Sequence, residues 1–86
     1  MPDEARLREL ARAAIRNGSV PIRPADRTWG GPGLGKACTI CQQPVSKDEV
    51  EFEIEFTQEG DNPNVTLHLH IRCFAAWEFE RTKVGQ

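Results

Sequence analysis

The chain has 86 residues, of which 28% are charged, and a formal net charge of −2. This length accommodates one small domain whose hydrophobic burial gives only marginal stability, so we expect an additional stabilising element. No apolar run reaches the length of a membrane span, and the charged first residues do not fit a signal peptide, so we expect a cytoplasmic protein that does not contact membranes.

Charge is divided unevenly along the chain. Residues 1–36 contain seven basic and four acidic side chains, whereas residues 37–86 contain four basic and nine acidic ones. Such halves often carry separate surfaces for different functions, although ordinary solvated faces account equally well for the same counts.

Residues 3–17 predict an amphipathic helix. Apolar side chains recur at helical spacing on one stripe, at Leu7, Leu10, Ala11, Ala14 and Ile15. Asp3 is expected to cap the N terminus, and Gly18 to follow the C terminus in a left-handed conformation. The other faces carry Arg6, Arg8, Arg12 and Arg16. The helix therefore either packs on its own domain with its arginines in water or docks on a partner or on nucleic-acid phosphates.

Residues 19–36 form a Pro/Gly-rich connector without periodicity, in which no regular element is predicted. Trp29 and Leu34 are expected to pack over the cysteine-containing module that follows and to tie the helix to it. In the alternative, Trp29 forms a stacking and phosphate-contacting patch with Arg23 and Arg27.

The connector also contains a partial phosphate-binding motif. Residues 30–36 fit Gly-x4-Gly-Lys, which ends at Lys36, but Ala37 stands where the motif requires Ser or Thr. No hydrophobic strand precedes the glycines, and the chain is too short for a nucleotide-hydrolase domain. We therefore interpret the glycines as positions where the backbone approaches the cysteine turn or bends around Trp77.

Residues 50–71 predict a β-hairpin, and residues 72–83 predict a helix. Val50, Phe52, Ile54 and Phe56 alternate with three glutamates, which indicates a half-buried strand with an acidic outer face. In the return strand the residues expected to point inward are Val65, Leu67, Leu69 and Ile71, and those on the opposite face are Thr66, His68 and His70.

Four residues fit the ligand pattern of a metal site: Cys38, Cys41, His70 and Cys73. Two pairs of soft ligands, each with two intervening residues, can close a tetrahedron of sulfur and nitrogen around Zn2+. They include every cysteine in the chain. A closed four-ligand shell leaves no position for water, so the pattern predicts a structural zinc ion and no enzymatic activity.

Other interpretations of these residues remain open. A buried cysteine pair beside a core histidine would have the same sequence, and Cys-x-x-Cys also occurs as a redox motif, although Pro44 suits a turn better than a redox helix. An iron–sulfur cluster prefers four thiolates. His68 lies on the same strand face as His70 and is the alternative nitrogen ligand; otherwise it is expected near a glutamate of the opposite strand.

The order of cysteine turn, hairpin and helix resembles the treble-clef zinc finger over about residues 36–83. The resemblance implies a small α+β domain in which Cys38 and Cys41 lie on the knuckle, and His70 and Cys73 lie at the start of the helix. It covers neither the helix of residues 1–18 nor the connector of residues 19–36, which adjoin a zinc-binding core of residues 37–84. Nucleases with a similar ββα unit need a histidine at the end of the first strand, where this chain has Phe56-Thr57-Gln58.

The fold does not by itself give the function. We predict a small intracellular zinc protein that acts as a protein-interaction module, with no small-molecule substrate. The alternative is a nucleic-acid-binding regulator, although the sequence pI of about 5.6 disfavours it. The residues that would contact a partner or nucleic acid are Arg6, Arg8, Arg12, Arg16, Arg23, Arg27, Trp29 and Lys36.

Overall fold

A computed structural model of the protein describes residues 3–84. It contains two helices and three strands in the order α1 (Glu4–Arg16), β1 (Arg27–Pro32), β2 (Val50–Phe56), β3 (Val65–His70) and α2 (Ile71–Val84). The strands form one antiparallel sheet in the order β1-β2-β3. The prediction of a small α+β domain is therefore confirmed.

Helix α1 has the boundaries that its capping residues predict. The Asp3 carboxylate accepts a hydrogen bond from the Arg6 backbone N–H at 2.9 Å, and Gly18 has a φ of +82°. The predicted apolar stripe packs against α2 and supplies Leu7, Ala11 and Ala14 to the core. Most of the stability of a 13-residue helix comes from such packing.

Aromatic side chains join α2 to one face of the sheet. Phe74 of α2 lies 4.7 Å from Phe52 of β2, measured between ring centroids, and Trp77 lies 6.1 Å from Phe56 in an edge-to-face arrangement. The indole N–H of the fully buried Trp77 donates to the carbonyl of Pro21 at 2.9 Å. Helix α2 thus separates α1 from the sheet, and the other face of the sheet, which we call the outer face, carries no helix among residues 3–84.

Strand β1 was not predicted. Its sequence, Arg-Thr-Trp-Gly-Gly-Pro, lacks alternation and contains the residues most typical of turns. It pairs with β2 over six positions, from Arg27 opposite Glu55 to Pro32 opposite Val50. Glycine and proline are tolerated because β1 is an edge strand, in which only one side of the backbone joins the ladder.

Several predictions about burial were wrong. Trp29 and Leu34 retain 45% and 62% of their surface in solvent instead of covering the cysteine-containing module. Val50 and Ile71 are also exposed, because both lie at strand ends beyond the core, and Ile71 already begins α2. Conversely, Glu51 of the predicted acidic outer face is only 2% exposed.

A buried carboxylate links the two helices. The side chain of Glu80 in α2 is 1% exposed, and its nearest cation is Arg12 of α1, whose Nη1 lies 3.3 Å from Glu80 Oε1. Neither carboxylate oxygen has a hydrogen-bond partner within the described chain. Arg12 therefore compensates an internal charge.

Replacing Arg12 with alanine is expected to lower the free energy of unfolding by about 2 kcal/mol, because the substitution leaves the Glu80 carboxylate buried without a counter-charge. Loss of one partner of a fully buried pair costs about 3–5 kcal/mol, and the 39% exposure of Arg12 reduces this value. Urea denaturation measures the change. Arg16→Ala, on an exposed position of the same helix, is the matched control and is expected to change stability by at most about 0.5 kcal/mol. Equal effects of the two substitutions would contradict this role of Arg12.

Within residues 3–84, no helix is both long enough and apolar enough to cross a bilayer.

Candidate metal centre

The first two cysteines lie on a tight turn. The Cys38 carbonyl accepts from the Gln42 N–H, and the Cys38 N–H donates to the Gln43 carbonyl, both at 2.9 Å. Gln42 has a φ of +68°, which lets the chain reverse immediately after Cys41. The Thr39 N–H donates to the His68 carbonyl at 2.9 Å and so fixes the turn against β3.

The other two residues lie where the hairpin meets α2. His70 is the last residue of β3, and Cys73 is in the first turn of α2. Their side chains point towards the cysteine turn, and one ligand atom from each of Cys38, Cys41, His70 and Cys73 lies within 4.8 Å of the others. Three of these residues are buried and Cys41 is half-buried. The structure thus brings together all four residues that the sequence singled out, in a cluster that could hold a metal ion.

The separations in this cluster suit a tetrahedral site. His70 Nδ1 lies 3.4 Å from Cys41 Sγ and 3.9 Å from Cys73 Sγ. Metal–ligand bonds typical of zinc, about 2.3 Å to sulfur and 2.0–2.1 Å to nitrogen, place S and N ligands about 3.6 Å apart in a tetrahedron. The ligand atoms are therefore close to the separation that an ion at their centre requires, with Nδ1 as the inward nitrogen.

Electrostatics within the cluster favour a cation. A hydrogen bond from the Cys73 thiol lowers the pKa of Cys38 to about 4, and the same contact, together with burial, raises the pKa of Cys73. Burial also raises the pKa of Cys41. Without a cation, ionisation of Cys38 is therefore favoured, whereas ionisation of Cys41 and Cys73 is disfavoured. A divalent ion removes this conflict because it compensates several thiolates at once.

Glu49 is a further residue of the site that the sequence analysis did not identify. Its Oε1 lies 3.6 Å from His70 Nε2, on the side of the ring that faces away from the cysteines. The same carboxylate accepts from the N–H and hydroxyl of Ser46, both at 3.1 Å, and these bonds lower the pKa of Glu49. At 3.6 Å the two groups are beyond hydrogen-bond distance, so Glu49 places a negative charge beside the imidazole without a direct bond to it. Ligand spacing gives no signal for it, because its contact with His70 depends on how the loop before β2 folds back.

His68 lies outside the four-residue cluster. Its Nδ1 is 3.0 Å from Glu51 Oε1 and 4.0 Å from Glu53 Oε1, on the outer face of the sheet. These three residues form a separate group whose ligand atoms also lie within 4.8 Å of one another. The expected proximity of His68 to a glutamate of the opposite strand is confirmed. Because Glu51 already engages His68, His70 is the better candidate for the nitrogen ligand.

The candidate partner-binding residues do not form one patch. Arg6, Arg8, Arg12 and Arg16 are on α1, which contacts α2, whereas Arg27 and Trp29 are on β1. Five of the seven basic side chains face carboxylates at 3.1–3.8 Å, in the pairs Arg6–Glu9, Arg8–Glu4, Arg12–Glu80, Arg23–Asp26 and Arg27–Glu55.

The glycine-rich segment packs against the loop that follows the cysteine turn. The Gly33 N–H donates to the Glu49 carbonyl at 2.9 Å, and the Gly35 N–H donates to the Val45 carbonyl at 2.8 Å. Gly33 is buried against the backbone of Val45 and Ser46. This close approach agrees with the structural interpretation of the glycines.

Comparisons of the chain with protein-family models, with curated proteins and with solved structures find no match.

Proposed function

We propose that the chain is a small zinc-stabilised protein that binds another protein, and that residues 36–83 form a treble-clef zinc finger. The observation that carries the zinc assignment is the compact group of three sulfurs and one nitrogen. Such a donor set favours zinc over hard cations such as Mg2+ or Ca2+, which prefer oxygen ligands.

The proposed role of the metal is structural. Four protein ligands complete a tetrahedron, so no position remains for a water molecule or a substrate, and we propose no enzymatic activity. The ion would join the cysteine turn, the end of β3 and the start of α2. We also propose an intracellular location, because the ligands are three unpaired cysteines, which a reducing compartment keeps available to metal.

Exposed apolar side chains support binding to a protein. Trp29 and Leu34 lie beside Glu53 and the buried Glu51, along one groove on the outer face. An apolar surface bounded by charged groups is typical of an interaction site, because its desolvation favours association while the charges select the partner.

The nucleic-acid alternative has less support. Affinity for nucleic acids comes chiefly from cations that neutralise phosphates. Arg16 and Lys36 are the two candidate cations with no ion pair among residues 3–84. Trp29, the candidate for base stacking, adjoins two glutamates, which would repel a phosphate backbone.

The experiment that tests the proposal uses the full-length, zinc-loaded protein, immobilised in an extract of its source cells before and after nuclease treatment. We expect a stoichiometric protein partner that is retained after nuclease treatment and lost after chelation of zinc. A mobility shift with random DNA or RNA at physiological salt, weakened by Arg16→Ala with Lys36→Ala, would contradict the proposal and favour the alternative.

A further inference from the structure

The free edge of β1 is open for pairing with another strand. β1 lies at the edge of the sheet, and all six of its residues are exposed or half-buried. The bond from the Gly33 N–H to Glu49 continues the β1–β2 ladder. Because the two sides of an antiparallel strand alternate, the N–H and C=O groups of Thr28 and Gly30 point away from β2. Proteins usually protect such an edge, and here Pro32 blocks only one end of it.

A groove on the outer face runs beside this edge. Its volume is about 450 Å3, and its lining includes Trp29, Gly31, Pro32, Leu34, Glu51 and Glu53. Gly31 opens the groove: a Cβ at this position would have no heavy atom within 4 Å. The space therefore exists because residue 31 lacks a side chain.

The groove is lined by the aromatic side chain of Trp29 and by two carboxylates. Glu51 and Glu53 are its charged lining residues, and no basic side chain lines it among the residues that the structure describes. Glu51 directly faces Gly31 across the β1–β2 ladder, but it is 2% exposed and already contacts His68. Glu53, whose side chain is 32% exposed, is therefore the carboxylate that a ligand can reach. Trp29 directly faces Glu53. A cation between Trp29 and Glu53 would meet both an indole and a carboxylate, groups that attract arginine and lysine.

We propose that this groove binds an extended segment of a partner protein that pairs with the free edge of β1 and inserts one arginine or lysine side chain over Gly31 towards the accessible carboxylate of Glu53. The inference rests on the proposed interaction function and specifies the surface and the chemistry of the partner. Two strand spacings separate the added strand from β2, about 10 Å in total. A long basic side chain and the side chain of Glu53, extended towards each other, span this distance, and Gly31 places no side chain in their way.

The probe is a pair of blocked peptides, acetyl-Thr-Val-Arg-Val-Thr-amide and the same peptide with glutamine in place of arginine. Each is titrated into the 15N-labelled, zinc-loaded full-length protein. We expect the arginine peptide to shift the backbone amide signals of Thr28 and Gly30 and the indole signal of Trp29, with a Kd of about 1 mM or below. The glutamine peptide is expected to bind about tenfold more weakly, because it lacks the charge-assisted bonds.

Three substitutions distinguish binding of the peptide in the groove from nonspecific attraction to the charged surface. Gly31→Val places a branched side chain in the groove, at a position where a Cβ has no heavy atom within 4 Å, and is expected to abolish binding. Glu53→Gln is expected to weaken binding of the arginine peptide about tenfold. Glu59→Gln makes the same charge change in the exposed loop between β2 and β3 and is expected to leave the affinity unchanged.

The proposal is wrong if the arginine peptide leaves these signals unshifted at millimolar concentration, or if both peptides bind equally. It is also wrong if the protein forms a dimer that Gly31→Val abolishes, because the occupant would then be a second copy of the chain. A partner captured from the cell extract that binds the Gly31→Val variant with unchanged affinity would refute the groove proposal and leave the interaction function intact.

Discussion

Removal of zinc from the metal-loaded protein with a strong chelator is expected to unfold residues 38–83 as one unit. Structural zinc contributes roughly 10–16 kcal/mol in small finger peptides, whereas a domain of this size has a total stability of only about 5–15 kcal/mol. Helix α1 is expected to unfold as well, because its buried face packs on α2 and an isolated helix of its length is marginal in water. Collapse of the dispersed amide spectrum to that of an unfolded chain would report the transition.

Substitution of single ligands tests the same assignment. Cys38→Ser is expected to reproduce the effect of the chelator, and His70→Ala is expected to lose stoichiometric zinc. His68→Gln is the matched control, since its amide can still donate to Glu51, and we expect it to retain one zinc ion per chain. The structural role of zinc would be wrong if the chelated protein kept its native amide spectrum. The assignment of His70 would be wrong if zinc were lost from the His68 variant instead.

Replacement of Gly33 with alanine is expected to destabilise the protein by roughly 3 kcal/mol. A Cβ at this position would overlap the carbonyl oxygen of Ser46 and lie 2.5 Å from that of Val45. Both atoms belong to the backbone that follows the cysteine turn, so a side-chain rotation cannot relieve the conflict. Insertion of one carbon into a packed site typically costs about 1–3 kcal/mol, and a rigid backbone neighbour places this case at the upper end.

Gly31→Ala is the matched control for this substitution. Neither glycine has a positive φ, so alanine fits the native backbone conformation at both positions, and each change reduces the freedom of the unfolded chain by the same amount. Only Gly33 meets a steric conflict, and we expect Gly31→Ala to change stability by at most about 0.5 kcal/mol in urea denaturation. A similar loss for both variants would show that the close approach at Gly33 is not what limits stability.

Most of the regular elements could be predicted because their signals are local. The capping residues and apolar stripe of α1 lie within a few positions of one another, and the alternation of β2 and β3 reflects a sheet with one buried face. The cysteine and histidine spacings likewise indicated which four residues would meet. The hairpin of β2 and β3 brings His70 and Cys73 back to Cys38 and Cys41. The number of residues between the two pairs is that of such a hairpin, so the sequence spacing already indicated that they would meet.

Features that depend on distant partners could not be predicted in the same way. β1 is a strand because β2 offers it six paired positions, although its own residues are typical of turns. Glu51 is buried because His68 and the outer face surround it, a context that simple alternation does not reveal. The same holds for the contact of Glu49 with His70.

The amino-acid sequence by itself therefore determined the set of soft ligands, the amphipathic helix and the hairpin, since each is specified by residue types at short, regular spacings. Only the tertiary structure decided that the arginines of α1 are largely paired, that Gly33 packs on the loop after Cys41, and that Trp29 borders an acidic groove at an open sheet edge. These contacts join residues far apart in the chain, and their energies depend on distance and burial, which sequence spacing does not specify.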